Sequence, residues 1–264
     1  VSSSFTPSHR GGAGSPLVCI HGFMDTWRTW ELMLPMLERS HDVLAPTLPG
    51  HAGGPPISGS ADAASAADAV ERAMDDAGFG TANIVGNSLG AYLALELAAR
   101  GRADSVVALA PAGGWADGGN SAAETLAIQK RIHDAVKEVA AEADAIVAND
   151  AGRRRATRYL TERYEHIPAE LLAHQLRGAA SEPLSTLIEN AQREQWSLDA
   201  EGITCPVRIV WGTEDKLLPW PSAATRFREV MPHADWVVLD GVGHAPQLDI
   251  PLETSQLIVG FTDP

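Results

Sequence analysis

The chain has 264 residues, 45% of them hydrophobic, enough to bury a sizeable core as one large domain or as a core carrying an insertion. Its 20 Lys and Arg stand against 34 Asp and Glu, a net charge of −14; such a surface repels phosphate backbones, so no nucleic acid is expected as a partner. No apolar run approaches the ~20 residues that span a bilayer, so no membrane span is expected.

The opening Val1-Ser2-Ser3-Ser4-Phe5 has neither the basic nor the apolar region of a signal peptide, and it lacks an initiating Met, as a processed or trimmed start would. Residues 1–15 are rich in Ser and Gly and predict a ragged edge strand at most. Pro16-Leu17-Val18-Cys19-Ile20 is a short continuous apolar run, the pattern of a strand covered on both faces, and it ends in His21-Gly22-Phe23-Met24-Asp25. A helix is predicted over 27–37, with Trp30, Leu34 and Leu37 on one face. A strand over 41–46 follows, then the turn-rich Leu48-Pro49-Gly50-His51-Ala52-Gly53-Gly54-Pro55-Pro56. The Ala-rich stretch 61–77 predicts a helix stopped by Gly78.

The next stretch organises the rest. Ile84 to Gly86 reads as the end of a buried strand and 91–99 as a helix; between them lies Gly86-x-Ser88-x-Gly90. The glycines let strand and helix approach closely and permit a strained turn that lifts the Ser88 hydroxyl out of the backbone. So short a motif also arises by chance; a strand before it and a helix after it argue against chance. A buried strand over 105–110 completes an alternation of strand and helix, which implies a parallel sheet flanked by helices.

The alternation then stops. Residues 112–196 predict helices and no strand. Ser121-Ala122-Ala123-Glu124 is a capping box, opening a long helix whose Ile128, Ile132, Val136, Val139, Ala143 and Ile146 hold one stripe. Shorter helices are predicted over 153–163, 169–176 and 183–195, and Arg153-Arg154-Arg155 reads as a solvated helix end. Alternation resumes with a strand over 205–212, a helix over 221–230, a strand over 235–239 and a last helix over 252–261. The expected architecture is an α/β fold, a mostly parallel doubly wound sheet, with core segments 1–111 and 197–264 and an all-helical cap insertion at 112–196. Cys19 and Cys205 both fall in apolar, strand-like surroundings, which points to two buried thiols and a cytoplasmic protein.

The chemistry-bearing residues each follow the C-terminal end of a predicted strand, where parallel α/β sheets place their sites. Ser88 follows one strand, Asp215 another in Trp211-Gly212-Thr213-Glu214-Asp215, and His244 a third in Gly241-Val242-Gly243-His244-Ala245-Pro246. The chain order Ser, Asp, His is that of an α/β-hydrolase triad. The cap histidines His133, His166 and His174 have no metal-ligand spacing and no His-Glu-x-x-His occurs, so no metal and no cofactor are expected.

Together with His21-Gly22-Phe23, Leu48-Pro49-Gly50-His51 and the run from Gly243 to Pro251, these motifs resemble the α/β-hydrolase superfamily, in its capped esterase-like group. The match spans nearly the whole chain outside the cap. The resemblance implies a Ser88 nucleophile, His244 as the base, Asp215 orienting the imidazole, and an oxyanion hole from the backbone N–H groups of Phe23 and Leu89. Glu214 is a rival to Asp215, and His21 and His51 read as structural. Dehalogenases and epoxide hydrolases of this fold carry an aspartate at the elbow, where this chain has Ser88. The family's carbon–carbon bond hydrolases share a Gly-Asn-Ser elbow, but usually have an aromatic where this chain has Ala245 and a Gly-rich turn where it has Phe23-Met24-Asp25-Thr26. The leading expectation is therefore a serine hydrolase of a small, largely apolar carboxylic ester or lactone. Hydrolysis of a diketone-type carbon–carbon bond, or a receptor-like slow hydrolase that binds a small ligand, is the alternative. Trp27, Trp115, Trp196 and Trp220 are candidate pocket walls. Oligomeric state, monomer or homodimer, is left open.

Overall fold

A computed structural model of the protein describes residues 5–115, 121–191 and 197–262. Seven strands form one sheet: β1 (Ser8–Gly12), β2 (Ser15–Ile20), β3 (His41–Pro46), β4 (Ala82–Asn87), β5 (Ala103–Leu109), β6 (Val207–Gly212) and β7 (Asp235–Leu239). Their spatial order is β1-β3-β2-β4-β5-β6-β7, with β1 antiparallel to β3 and every other pair parallel. The chain runs from β2 outward to β3, then crosses back to β4 on the other side. That reversal makes β2 and β4 the switch point, where a crevice opens beyond the strand ends.

The apolar runs read as two-faced strands, and they are. Val18, Ile20, Ile84, Val106, Ala108, Ile209 and Trp211 pack on one face, while Leu17, Cys19, Val85, Val107, Leu109 and Val210 pack on the other. The first face is covered by α2 (Ala63–Asp76) and α3 (Leu89–Ala99). The second is covered by Trp30, by α1 (Leu34–Leu37) and by Ile258 of the last helix. Asp62 caps α2 by accepting from the Ser65 N–H at 2.8 Å.

Several predicted elements are broken. The helix expected over 27–37 is a 3₁₀ turn, Trp27–Trp30, followed by α1: Pro35 lacks the N–H needed to continue the ladder and sits in the first turn of a new helix. Between β5 and β6, the described residues form five α-helices and no strand: α4 (Ser121–Val139), α5 (Ala143–Val147), α6 (Asp150–Thr157), α7 (Ala169–Ala179) and α8 (Pro183–Ala191). The long helix expected to reach Ile146 ends at Val139, and a 3₁₀ turn at Ala140–Glu142 redirects the chain. The break lets Ala143 and Val147 pack against Tyr164, Ile167 and Leu171, a cluster separate from the sheet core. The Ser121 side chain of the expected capping box, and 192–196 of the expected last cap helix, lie outside the described residues. Arg153 is not a solvated helix end. Its Nη2 donates to the carbonyls of Tyr164 at 3.2 Å, Glu165 at 3.1 Å and Ile167 at 2.5 Å, tying down the loop before α7.

After β6 come a 3₁₀ turn, Ser222–Ala224, and α9 (Thr225–Val230), then β7 and two helices that each begin with a proline, α10 (Pro246–Asp249) and α11 (Pro251–Thr262). Of the two thiols, Cys19 is buried but Cys205 is only half-buried, because it precedes β6 rather than lying within it. Among the described residues, no helix is long and apolar enough to cross a membrane.

Candidate active site

The β4-to-α3 corner shows why two glycines flank Ser88. A Cβ on Gly86 would lie 2.1 Å from the Gly90 carbonyl oxygen, and one on Gly90 would lie 2.1 Å from the Ile20 carbonyl oxygen. Only bare backbone lets the helix start this close to β2 and β4. Ser88 itself has φ 56° and ψ −115°, a conformation that costs a non-glycine residue on the order of 1–3 kcal/mol. Its backbone is pinned on both sides: the N–H donates to Leu109 O at 2.9 Å, and the carbonyl accepts from Ala91, Tyr92 and Ala112, each at 3.1 Å.

Asp215 and His244 meet beyond the ends of β6 and β7. His244 Nδ1 lies 2.7 Å from Asp215 Oδ2, with both side chains buried. The other carboxylate oxygen, Oδ1, accepts from the backbone N–H groups of Leu217 at 2.9 Å and Leu218 at 2.7 Å. The carboxylate is therefore fixed, Nδ1–H is the donor to it, and Nε2 carries the free lone pair. Glu214, the rival acid, points to solvent as an exposed residue. The histidine loop is braced from behind. Asn87 Nδ2 donates to His244 O at 3.0 Å, and Asn87 Oδ1 accepts from Gln247 Nε2 at 3.1 Å. Asp249 accepts from Gly243 N at 2.6 Å, Glu162 N at 3.1 Å and Arg163 N at 2.7 Å, joining the histidine loop to the helical segment. These three bracing residues stand inside the quoted motifs, and only their side-chain partners were illegible.

The loop after β2 packs directly on the serine: a Cβ on Gly22 would touch the Ser88 Cβ at 3.4 Å. His21 Nδ1 donates to Gly22 O at 2.7 Å and its Nε2 accepts from Leu48 N at 2.9 Å, so the ring is neutral and holds two loops together. Burial pushes its pKa well below the ordinary value, and the neighbouring His51 adds to this. Burial also pushes His51 down to about 4; its Nδ1 donates to Pro49 O at 3.1 Å and its ring meets Phe23 edge-on at 5.6 Å. Met24, at φ 64°, turns the chain sharply so that Asp25 N–H reaches Gly22 O at 3.4 Å. Leu89 is the first residue of α3, where the helix's own ladder provides no acceptor for its N–H.

A sequence model described as the alpha/beta hydrolase family matches residues 17–257. The chain belongs to this family. It is 30% identical over 211 residues to the epoxide hydrolase EphH of Mycobacterium tuberculosis, a match covering 75% of this chain and 93% of that one. It is 28% identical over 261 residues to a pimeloyl-(acyl-carrier protein) methyl ester esterase of Aromatoleum aromaticum, covering 92% and 96%. Among solved structures, a bacterial membrane phospholipase A superposes with a TM-score of 0.78 at 23% identity, covering 97% of this chain and 81% of that chain, a likeness of fold.

In this alpha/beta hydrolase two cavities, of about 80 Å³ and about 100 Å³, meet at Ser88. The first is walled by Leu48, Trp115, Leu126, Leu187 and Leu218. The second holds His244, Tyr159, Leu172 and Leu176, and with them Asp25 and Gln175. Phe23 and Gln129 line both. Of the four candidate tryptophans, Trp115 lines the first cavity. Trp27 instead donates to Thr6 Oγ1 at 2.8 Å, Trp220 packs between Trp211 and Trp236, and Trp196 lies outside the described residues. The histidines of the helical segment are structural: His133 bonds Ala179 O and Ser185, His166 bonds Leu248 O, and His174 bonds Thr26. Among the described residues, no cluster of three metal-ligating side chains occurs. Asp25 escaped the sequence reading, although the departure of Phe23-Met24-Asp25-Thr26 from a Gly-rich turn was its visible signal.

Proposed function

We propose that this hydrolase is a cofactor-independent serine hydrolase of a small, largely apolar carboxylic ester or lactone, working through an acyl-enzyme. Ser88 Oγ attacks the carbonyl carbon while its proton passes to His244 Nε2, and Asp215 stabilises the imidazolium. The oxyanion forms against the N–H groups of Phe23 and Leu89. The intermediate collapses with the alcohol oxygen taking the proton from His244. Water then attacks the acyl-enzyme, again giving its proton to His244, and the acid leaves with Ser88 restored. The observation that carries this reading is the 2.7 Å His244–Asp215 bond, which leaves Nε2 free on the wall of a cavity that Ser88 also lines.

We read residues 112–196 as a cap: side chains of α4, α6 and α7 close the second cavity, and those of α4 and α8 the first. Excluding water there strengthens every charge interaction during the reaction. The relative named an epoxide hydrolase does not redirect the proposal. A serine that opened an epoxide would be left as an ether, which water does not cleave, whereas a carboxylate nucleophile leaves a hydrolysable ester.

Hydrolysis of p-nitrophenyl butyrate tests the reading. Ser88→Ala should lower turnover by about 10⁴-fold or more with the melting temperature retained. Turnover near the wild-type rate in that variant would contradict it.

A further inference from the structure

The two cavities differ in one respect that bears on how a substrate lies. His244 lines the second cavity and is absent from the first. In ester cleavage the histidine must return its proton to the departing oxygen, so that oxygen sits within hydrogen-bond reach, about 2.6–3.2 Å, of Nε2. The leaving group therefore occupies the second cavity and the acyl chain the first.

The acyl side is a place for hydrocarbon. Its walls are mostly Leu and Ala, and two of its polar side chains are engaged elsewhere: Asp62 with Ser60 and Ser65, Thr125 with Leu217 O. The leaving-group side is different in kind. Asp25, on the turn just beyond Phe23, lines it together with Gln175 of α7. Asp25 Oδ1 accepts from Thr26 N at 2.8 Å, and Gln175 Nε2 lies 3.4 Å and 3.3 Å from its two oxygens. Thr29 also donates to it. All of these are uncharged donors. With no cationic partner among the described residues, a carboxylate so enclosed is pushed up to about 6 by its burial. A half-buried acid held this way has acceptor capacity left over, and it faces the space where the alcohol must lie.

We infer that Asp25, held by Gln175, is a specificity-determining residue that binds a hydrogen-bond-donating group, a hydroxyl or an ammonium, on the alcohol portion of the substrate. The inference rests on the serine-hydrolase reading above, and it turns the largely apolar substrate into one with an apolar acyl chain and a polar alcohol. A site that hydrogen-bonds a substrate hydroxyl discriminates strongly against the analogue lacking it, since the buried polar group is then left unpaired.

The test compares ω-hydroxyalkyl butyrates of two to four carbons with n-alkyl butyrates of matching length, in wild type, Asp25→Asn and Gln175→Leu. In parallel, Ser88 labelling by a fluorophosphonate is followed in each protein. The expected result is at least tenfold higher kcat/KM for the best hydroxyalkyl ester over its alkyl match in wild type, carried mainly by KM. The preference should shrink at least fivefold in Asp25→Asn and in Gln175→Leu. Labelled wild-type protein that cleaves both ester series equally would overturn this inference alone, even if neither variant folds. Wild-type protein in which Ser88 takes no label and no ester turns over would overturn the serine-hydrolase reading, and this inference with it.

Discussion

At the strand ends a single methyl group has nowhere to go, while on α7 above them it does. A Cβ at Gly86 or Gly90 would fall 2.1 Å from a backbone oxygen, and one at Gly212 would fall 2.1 Å from Val242 O. On α7, by contrast, a Cβ at Gly178 would meet Phe5 and Thr26 side chains at 3.4 Å, ordinary contact. The proposed reacting groups stand on the crowded side, placed by backbone that cannot relax. The helical side contributes Leu126, Gln129, Leu187, Gln175 and Leu176, side chains that shape space rather than hold a reacting atom. Chemistry and selectivity should therefore respond differently to mutation.

The largest effect belongs to the strand ends. Asp215→Asn should reduce turnover by about 10⁴-fold, because the amide no longer fixes the imidazole with Nε2 free, while Glu214→Gln, at an exposed position, should change kcat less than threefold. Steady-state kinetics on one ester checks both, and the reverse order would assign the acid to Glu214. Next comes Gly86→Ala, expected to cost about 3 kcal/mol or more in denaturant unfolding, since the clash is with backbone rather than a movable side chain.

Asp25 lies where the two regions meet, and its signature is a pH slope. Its folded-state pKa is about 6, raised by burial above the ordinary value of 3.8. Between those values the folded state binds more protons at this site than the unfolded one, so the contribution of Asp25 to stability is fully present below about pH 4 and is lost as pH rises through 6. The loss is up to about 3 kcal/mol. Asp25→Asn should flatten that segment of the stability curve, read from urea midpoints at a series of pH values; an unchanged slope would contradict the burial of this carboxyl.

The smallest effects belong to the helices. Leu187→Ala should raise KM for butyrate esters a few-fold and leave kcat within twofold. Gly178→Ala should leave stability within about 1 kcal/mol of wild type, because removing a helical glycine is itself favourable. A loss at Gly178 as large as that at Gly86 would erase the contrast between the regions.

The same contrast explains what was readable in the amino-acid order. Strands such as 17–20 and 84–86 were legible because residues buried on both faces leave an unbroken apolar run. Ser88 and Asp215 stood out as candidates because each sits just after such a run, whereas His244 follows the partly exposed β7 and stood out by its loop, Gly243-His244-Ala245-Pro246. The break of the long helix at Val139 was not, since the apolar stripe continues through it while Ala143 and Val147 pack onto the residues around α7. Arg153 looked like a surface charge because its partners are backbone carbonyls, which have no sequence signature. Asp25 and Gln175 lie 150 residues apart, and nothing in either neighbourhood announces that they share a cavity.

The most direct measurement of the central claim is covalent labelling. Wild-type protein and His244→Ala are incubated with a fluorophosphonate, then examined by intact mass and peptide mapping. One adduct per chain, on Ser88 and lost without His244, is the predicted result. An unmodified Ser88 in wild-type protein, or equal labelling in the absence of His244, would contradict an activated serine at this corner of the sheet.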